Sequence, residues 1–230
     1  MAFFVHTATE RRRTHTTNSH KHVNSRSFEL HAVSPGTGDK QRFVKTAKEV
    51  WPCFDYIHIR EKHLSDGQKM EWAYSLHDAG IPMERIVING LNQLNKHQCI
   101  QGVHWSQYDL ASADSSSLNT TNRLRLGVSV HSLSEAKEAE ERAADYLFYG
   151  HVFSSGSKPG FKPRGLSALN EICSAVSIPI IAIGGIEPAN INAVRAAGAS
   201  GVAVISSLWA SENPKVAGAA LRQAIERWRT

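Results

Sequence analysis

Short apolar runs recur along the chain from Phe28 onward. Each is followed by a longer stretch in which apolar positions return every three or four residues. The first pattern reads as strand and the second as amphipathic helix. Strands are predicted at Phe28–Val33, Asp55–Arg60, Arg85–Asn89, Gly102–Trp105, Arg125–Val130, Tyr146–Gly150, Pro179–Gly184 and Gly201–Ile205. Helices are predicted to begin near Asp39, Asp66, Leu91, Ser106, Ser132, Gly165, Glu187 and Asn213, with Ser132-Leu-Ser-Glu135 in the form of a capping box. The helix after the third strand is the least clearly marked. Alternation of strand and helix implies parallel strands joined by right-handed crossovers. Eight such units within residues 28–230 predict a single (β/α)8 TIM barrel. The competing architecture is an open doubly wound sheet. It would carry a Gly-x-Gly-x-x-Gly turn after its first strand, which Ser34-Pro-Gly-Thr-Gly38 imitates poorly.

Residues 1–27 break the pattern. They are rich in Thr, His, Asn, Ser and Arg and hold no sustained period, so they are expected to be a disordered basic extension. An Arg-rich transit peptide is the competing reading. This segment carries Arg11, Arg12, Arg13, Lys21 and Arg26 against Glu10 alone, so it holds +4 of the net charge of +5. Residues 28–230 are therefore close to neutral, which argues against a nucleic-acid surface on the folded part. No apolar run has the length of a membrane helix, and no apolar stretch follows the arginines as in a signal peptide. A cytoplasmic protein with no membrane partner is expected. Cys53, Cys99 and Cys173 lack metal-site or disulfide spacing and are read as idle thiols.

In a barrel of this kind chemistry collects at the C-terminal ends of the strands. Arg60, Glu61, Lys62, Asn89, His104, Ser129, His131, His151, Gly184, Gly185 and Ser206 all fall there. Gly184-Gly185 removes two β-carbons, so backbone N–H groups can approach an anion. The turn Val204-Ile205-Ser206-Ser207 repeats the arrangement in the next unit. Glycines alone would indicate only a tight turn. The two adjacent turns together point to a phosphate grip involving Gly184, Gly185, Ile205 and Ser206.

Six ordered blocks resemble the superfamily of thiamine-phosphate synthases and thiazole tautomerases (TenI). They are Tyr56-Ile-His-Ile-Arg-Glu-Lys62, Gly102-Val-His-Trp-Ser-Gln-Tyr-Asp109, Gly127-Val-Ser-Val-His-Ser132, Ala144-Asp-Tyr-Leu-Phe-Tyr-Gly-His-Val-Phe153, Ile181-Ala-Ile-Gly-Gly-Ile186 and Gly201-Val-Ala-Val-Ile-Ser206. The resemblance implies one of two reactions. Synthases join a pyrimidine pyrophosphate to a thiazole phosphate using magnesium. Tautomerases isomerise a carboxylated dihydrothiazole phosphate to the aromatic thiazole without metal. Synthases carry Asn-Asp after strand 3, whose aspartate helps hold magnesium, and this chain has Asn89-Gly90. Only Asp109 remains of the expected carboxylate pair. Synthases carry Gly-Pro-x-Phe after strand 6, and this chain has Gly150-His-Val-Phe153, the form similar to the tautomerases. Ser155-Gly-Ser-Lys158 keeps a loose likeness to the synthases' Thr-x-Thr-Lys.

On these grounds the resemblance implies a metal-independent isomerase, a thiazole tautomerase, with His151 moving the proton and no cofactor. A histidine can accept and release protons near neutral pH. Arg60 would pair with the substrate carboxylate. Lys62, Asn89, Ser129 and Lys158 would also contact the phosphorylated thiazole. The alternatives are a thiamine-phosphate synthase or a non-catalytic regulatory relative. Homo-oligomerisation is left open, as is the role of His58, His104 and His131.

Overall fold

The computed structural model describes residues 27–91, 99–113, 124–156 and 160–227. Eight strands form a closed parallel barrel in chain order, with β8 pairing back onto β1. They are β1 Glu29–Val33, β2 Tyr56–Ile59, β3 Ile86–Asn89, β4 Gly102–Ser106, β5 Arg125–Val130, β6 Tyr146–Gly150, β7 Ile180–Ile183 and β8 Gly201–Val204. Each lies on a predicted strand, and closure removes the doubly wound alternative.

The described helices are α1 Lys40–Val50, α2 Asp66–Asp78, α3 Gln107–Ser112, α4 Leu133–Glu141, α5 Gly165–Ala175, α6 Ile191–Ala196, α7 Ser206–Trp209 and α8 Pro214–Glu226. Local chemistry starts them. Asp39 accepts from the Arg42 N–H at 3.0 Å, and Ser65 and Gln68 form a reciprocal capping box on α2. At α4 the Ser132 hydroxyl accepts from the Glu135 N–H, but the Glu135 carboxylate reaches one residue further back to the His131 N–H. The predicted box is therefore half formed. The helix expected from Glu187 begins at Ile191, because Asn190 first pins the turn through Glu187 N–H and the Gly185 carbonyl. The one-turn α7 was not anticipated. The helix expected near Leu91 and the extension over residues 1–26 lie outside the described residues.

Strand residues alternate between two destinations. Leu30, Ala32, Ile57, Ile59, Ile86, Ile88, Val103, Trp105, Leu126, Val128 and Val130 face the helices and join the main core. The intervening positions point into the barrel. There, Val33, Tyr146, Phe148, Ile181 and Ala203 form a second, smaller apolar cluster. Ile183 and Ile205 pack against that cluster, and polar residues share the lumen with these. His31, His58 and His104 are buried within it, where branched aliphatic residues are usual. No described helix is long and apolar enough to cross a membrane.

Candidate active site

A cavity of about 980 Å³ opens at the C-terminal ends of the strands. That volume is at the upper end for a small-molecule site. It is lined by Arg60, Lys62, Asn89, Ser129, His151, Gly184, Gly185, Ile205 and Ser206, so it gathers every described residue singled out from the sequence as a site residue. Lys158 lies outside the described residues.

On the β7–β8 arc the two turns are built for close approach of backbone. A β-carbon on Gly184 would lie 2.3 Å from His151 Cβ, and one on Gly185 would lie 2.4 Å from the Ser154 carbonyl oxygen. The N–H groups of Ser206 and Ser207 open α7 and have no acceptor within that helix. The sequence argument for a phosphate grip rested on these same groups.

The β2–β3 arc is cationic. Arg60 and Lys62 follow β2, and Lys69 reaches the same space from α2. Lys69 is buried, and its ammonium donates to the Gly90 carbonyl at 2.7 Å and sits 3.7 Å from Asp66 Oδ1. The sequence reading missed Lys69, because a lysine in an amphipathic helix ordinarily faces solvent.

Glu61 lines the cavity and also holds the mouth of β1. Its buried carboxylate accepts from the Ser34 hydroxyl at 2.7 Å and from the Gly36 and Gly38 N–H groups at 3.0 and 2.9 Å. Glu61→Gln replaces one acceptor oxygen by a donor and should cost about 1–2 kcal/mol. Faster hydrogen exchange at the Gly36 and Gly38 amides is the expected readout.

Below the cavity floor lies the polar lumen. Glu29 Oε2 accepts from His31 Nε2 at 2.9 Å and from Arg125 Nη2 at 2.7 Å. His31 Nδ1 faces His58 Nε2 at 2.9 Å, and His58 Nδ1 faces Asn89 Oδ1 at 3.1 Å. His104 bonds Ser129 Oγ at 2.8 Å and the Tyr146 hydroxyl at 3.2 Å. Burial holds all three imidazoles below their ordinary range. His58 is lowered further by His31 and His104, and His104 falls to about 3 with help from the charges on His31 and Arg60. Burial alone would raise Glu29, but His31 and Arg125 outweigh it and bring it down to about 2. The sequence signal for this lumen was the strict alternation Glu29-x-His31, Tyr56-x-His58 and Arg125-x-Gly127-x-Ser129 within otherwise apolar strands. In a parallel barrel both strand faces are covered, so alternating polar residues must be interior.

His151 is buried at the cavity wall. Its Nε2 faces the Phe161 carbonyl at 3.2 Å, and its own carbonyl accepts from the Arg164 N–H at 3.0 Å. These contacts tie the loop after β6 to the start of α5.

The Asn-Asp carboxylate that the family resemblance implies for magnesium is not present after β3. Asp109 lines the cavity, with Oδ2 accepting from the Ser106 N–H and hydroxyl at 2.8 Å each. The second position is Gly90, and a β-carbon there would stand 3.6 Å from the Lys69 ammonium. The Lys69 ammonium thus lies beside the position from which a second carboxylate would project. Among the described residues no three His, Cys, Asp or Glu side chains converge as a metal site.

A family model described as thiamine monophosphate synthase matches residues 30–208. A thiamine-phosphate synthase from Chloroflexus aurantiacus is 40% identical over 174 residues, covering 74% of this chain and 78% of that protein. One from Desulfitobacterium hafniense is 39% identical over 197 residues, covering 84% and 92%. A solved thiamine phosphate pyrophosphorylase from Pyrococcus furiosus superposes with a TM-score of 0.69 at 27% identity, covering 87% of this chain and 96% of that one. These relatives overturn the thiazole tautomerase expectation and with it the isomerase class, since they carry the name of a transferase. The physical reason for the error is local. A missing carboxylate at Gly90 and a histidine at 151 suggested loss of the synthase site, whereas Lys69 supplies positive charge there from a separate element. The chain belongs to the thiamine monophosphate synthase family.

Proposed function

We propose that this chain is a thiamine-phosphate synthase, joining a pyrimidine pyrophosphate to a thiazole phosphate and releasing pyrophosphate. One observation carries the reading beyond the family likeness: the cavity offers two separate arcs for anions. Gly184, Gly185, Ser206 and Ser207 form one, and Arg60, Lys62 and Lys69 form the other. A synthase must hold two phosphorylated substrates at once, whereas a tautomerase holds one.

The thiazole phosphate is assigned to the β7–β8 arc, where backbone N–H groups meet its phosphate. The pyrophosphate is assigned to the β2–β3 arc. In the reaction the thiazole nitrogen forms a bond to the carbon that carried the pyrophosphate, and the carbon–oxygen bond breaks. Negative charge gathers on the departing oxygens. Arg60, Lys62 and Lys69 are assigned to that charge, and cations placed against developing charge act mainly in the transition state. Asn89 and Ser129 orient the rings between the arcs, and Lys158 is assigned to the pyrophosphate as a loop cation. His151 shapes the wall that brings the loop after β6 against Gly184, and no proton role is assigned to it.

Removing the Lys69 charge should lower kcat about 100-fold in Lys69→Met, with a smaller change in the KM for thiazole phosphate. The two-arc arrangement is tested by calorimetry. Inorganic pyrophosphate and thiazole phosphate should bind the same protein together, each scarcely affecting the other. Mutual exclusion would contradict the arrangement.

A further inference from the structure

The chain Glu29–His31–His58–Asn89 runs from the floor of the barrel to the wall of the cavity, and every link in it has a direction. Two ring nitrogens 2.9 Å apart, as in His31 Nδ1 and His58 Nε2, share one proton. We propose that Glu29, His31 and His58 act as positioning residues that set which end of the Asn89 carboxamide faces the substrate cavity, so that the carbonyl oxygen is presented as an acceptor while both imidazoles are neutral. This inference concerns the cavity wall and holds for whichever substrate fills it.

The direction of the chain is set at Glu29. Arg125 Nη2 reaches both its oxygens, at 2.9 and 2.7 Å, and keeps the carboxylate ionised. Arg125 is itself clamped between the rings of Tyr56 and Tyr146, 4.4 Å from each centroid. An ionised carboxylate only accepts, so His31 must carry hydrogen at Nε2. A neutral His31 is then bare at Nδ1. His58 must supply the shared proton from Nε2, which leaves its own Nδ1 bare. A bare nitrogen 3.1 Å from Asn89 needs a donor, and the amide can offer its nitrogen by a half-turn. The carbonyl oxygen then points away from His58, and Asn89 lines the cavity.

Adding one proton reverses the chain. With His31 or His58 cationic, His58 carries hydrogen at Nδ1 and the amide oxygen turns to it, as in the arrangement of Asn89 Oδ1 facing His58. The amide nitrogen then faces the cavity. The groups around the pair decide which state prevails. Glu29 on β1 and Asp55 before β2 favour a proton on His31. Arg125 on β5 opposes one on either ring, and the neighbouring His104 ring on β4 opposes one on His58. Tyr56 on β2 and Tyr146 and Phe148 on β6 pack the rings in an apolar shell, while Asp55 is occupied by Arg222 and the Leu30 N–H. Burial in that shell adds to the opposition.

The test is long-range nitrogen–proton spectroscopy on the full chain labelled with 15N-histidine, from about pH 8 down to about pH 5.5. At the upper end His31 and His58 should both be protonated at Nε2 and bare at Nδ1. Asn89→Asp places an acceptor against His58 whichever way it turns, so protonation of the pair should begin at higher pH in that variant. A proton on His58 Nδ1 in the native chain at the upper end, where both rings are neutral, would overturn the proposal. So would an unmoved titration in Asn89→Asp. Neither readout depends on turnover, so failure here is separable from failure of the synthase assignment.

Discussion

Lowering the pH from about 6.5 to about 4.5 should destabilise this barrel steeply, and buried histidines are the reason. An ordinary histidine titrates near 6.5, but burial depresses His31, His58 and His104 in the folded chain, His104 to about 3. As the pH falls through 6.5 the unfolded chain takes up protons at these positions that the folded chain takes up only at lower pH. Each contributes up to about 1.4 kcal/mol per pH unit for as long as its folded form stays neutral, and His104 stays so across the whole interval. A domain with roughly 5–15 kcal/mol in hand cannot sustain that slope for long. Glu29 acts in a lower window. Its folded value near 2 lies below the ordinary 4.5, so its stabilisation is complete above 4.5 and is lost as the pH falls towards 2. Losses between pH 6.5 and 4.5 therefore belong to the histidines. Urea midpoints measured across that interval should fall continuously, and His104→Gln should flatten the slope by up to about 1.4 kcal/mol per pH unit. A flat profile down to pH 5 would contradict the buried, neutral assignment.

Gly184→Ala should be among the most damaging single substitutions. Its φ of +96° is a conformation that L side chains rarely adopt. The added carbon would also stand 2.3 Å from His151 Cβ and 2.7 Å from His151 Cα. The two backbones cannot separate cheaply. The Val152 N–H bonds the Ile183 carbonyl and the Phe153 N–H bonds the Gly184 carbonyl, each at 3.0 Å. Strain and overpacking together predict a loss of about 3–5 kcal/mol, which for a chain of this size lowers the melting temperature by roughly 10 °C or more. Affinity for thiazole phosphate should fall with it, because the same turn carries the phosphate donors. Gly67→Ala provides the contrast. It lies in α2 with nothing within 4 Å of its added carbon, and should leave stability equal or slightly higher. Thermal unfolding of the two variants side by side decides the point.

The strands were legible because each carries a short apolar run closed by turn residues, and the turns that line the β7–β8 side of the cavity were legible because Gly184-Gly185 and Ser206-Ser207 follow strands directly. Two things were not. Lys69 reads as a solvated helix lysine, and only the closed barrel brings it beside Gly90, 21 positions away. Of the histidines in the lumen, His58 and His104 were left without a role and His31 was not singled out, until strand parity placed them inside. The reaction was misjudged for a related reason. Gly90 and His151 were weighed as single positions, while the charge that matters at Gly90 comes from another element.

The central claim is most directly tested by following both products in one reaction. Purified protein is given the pyrimidine pyrophosphate and thiazole phosphate in magnesium-containing buffer. One pyrophosphate should appear for each thiamine phosphate formed, with neither product when either substrate is omitted. Absence of both products, together with conversion of carboxylated dihydrothiazole phosphate to the aromatic thiazole, would contradict the synthase assignment.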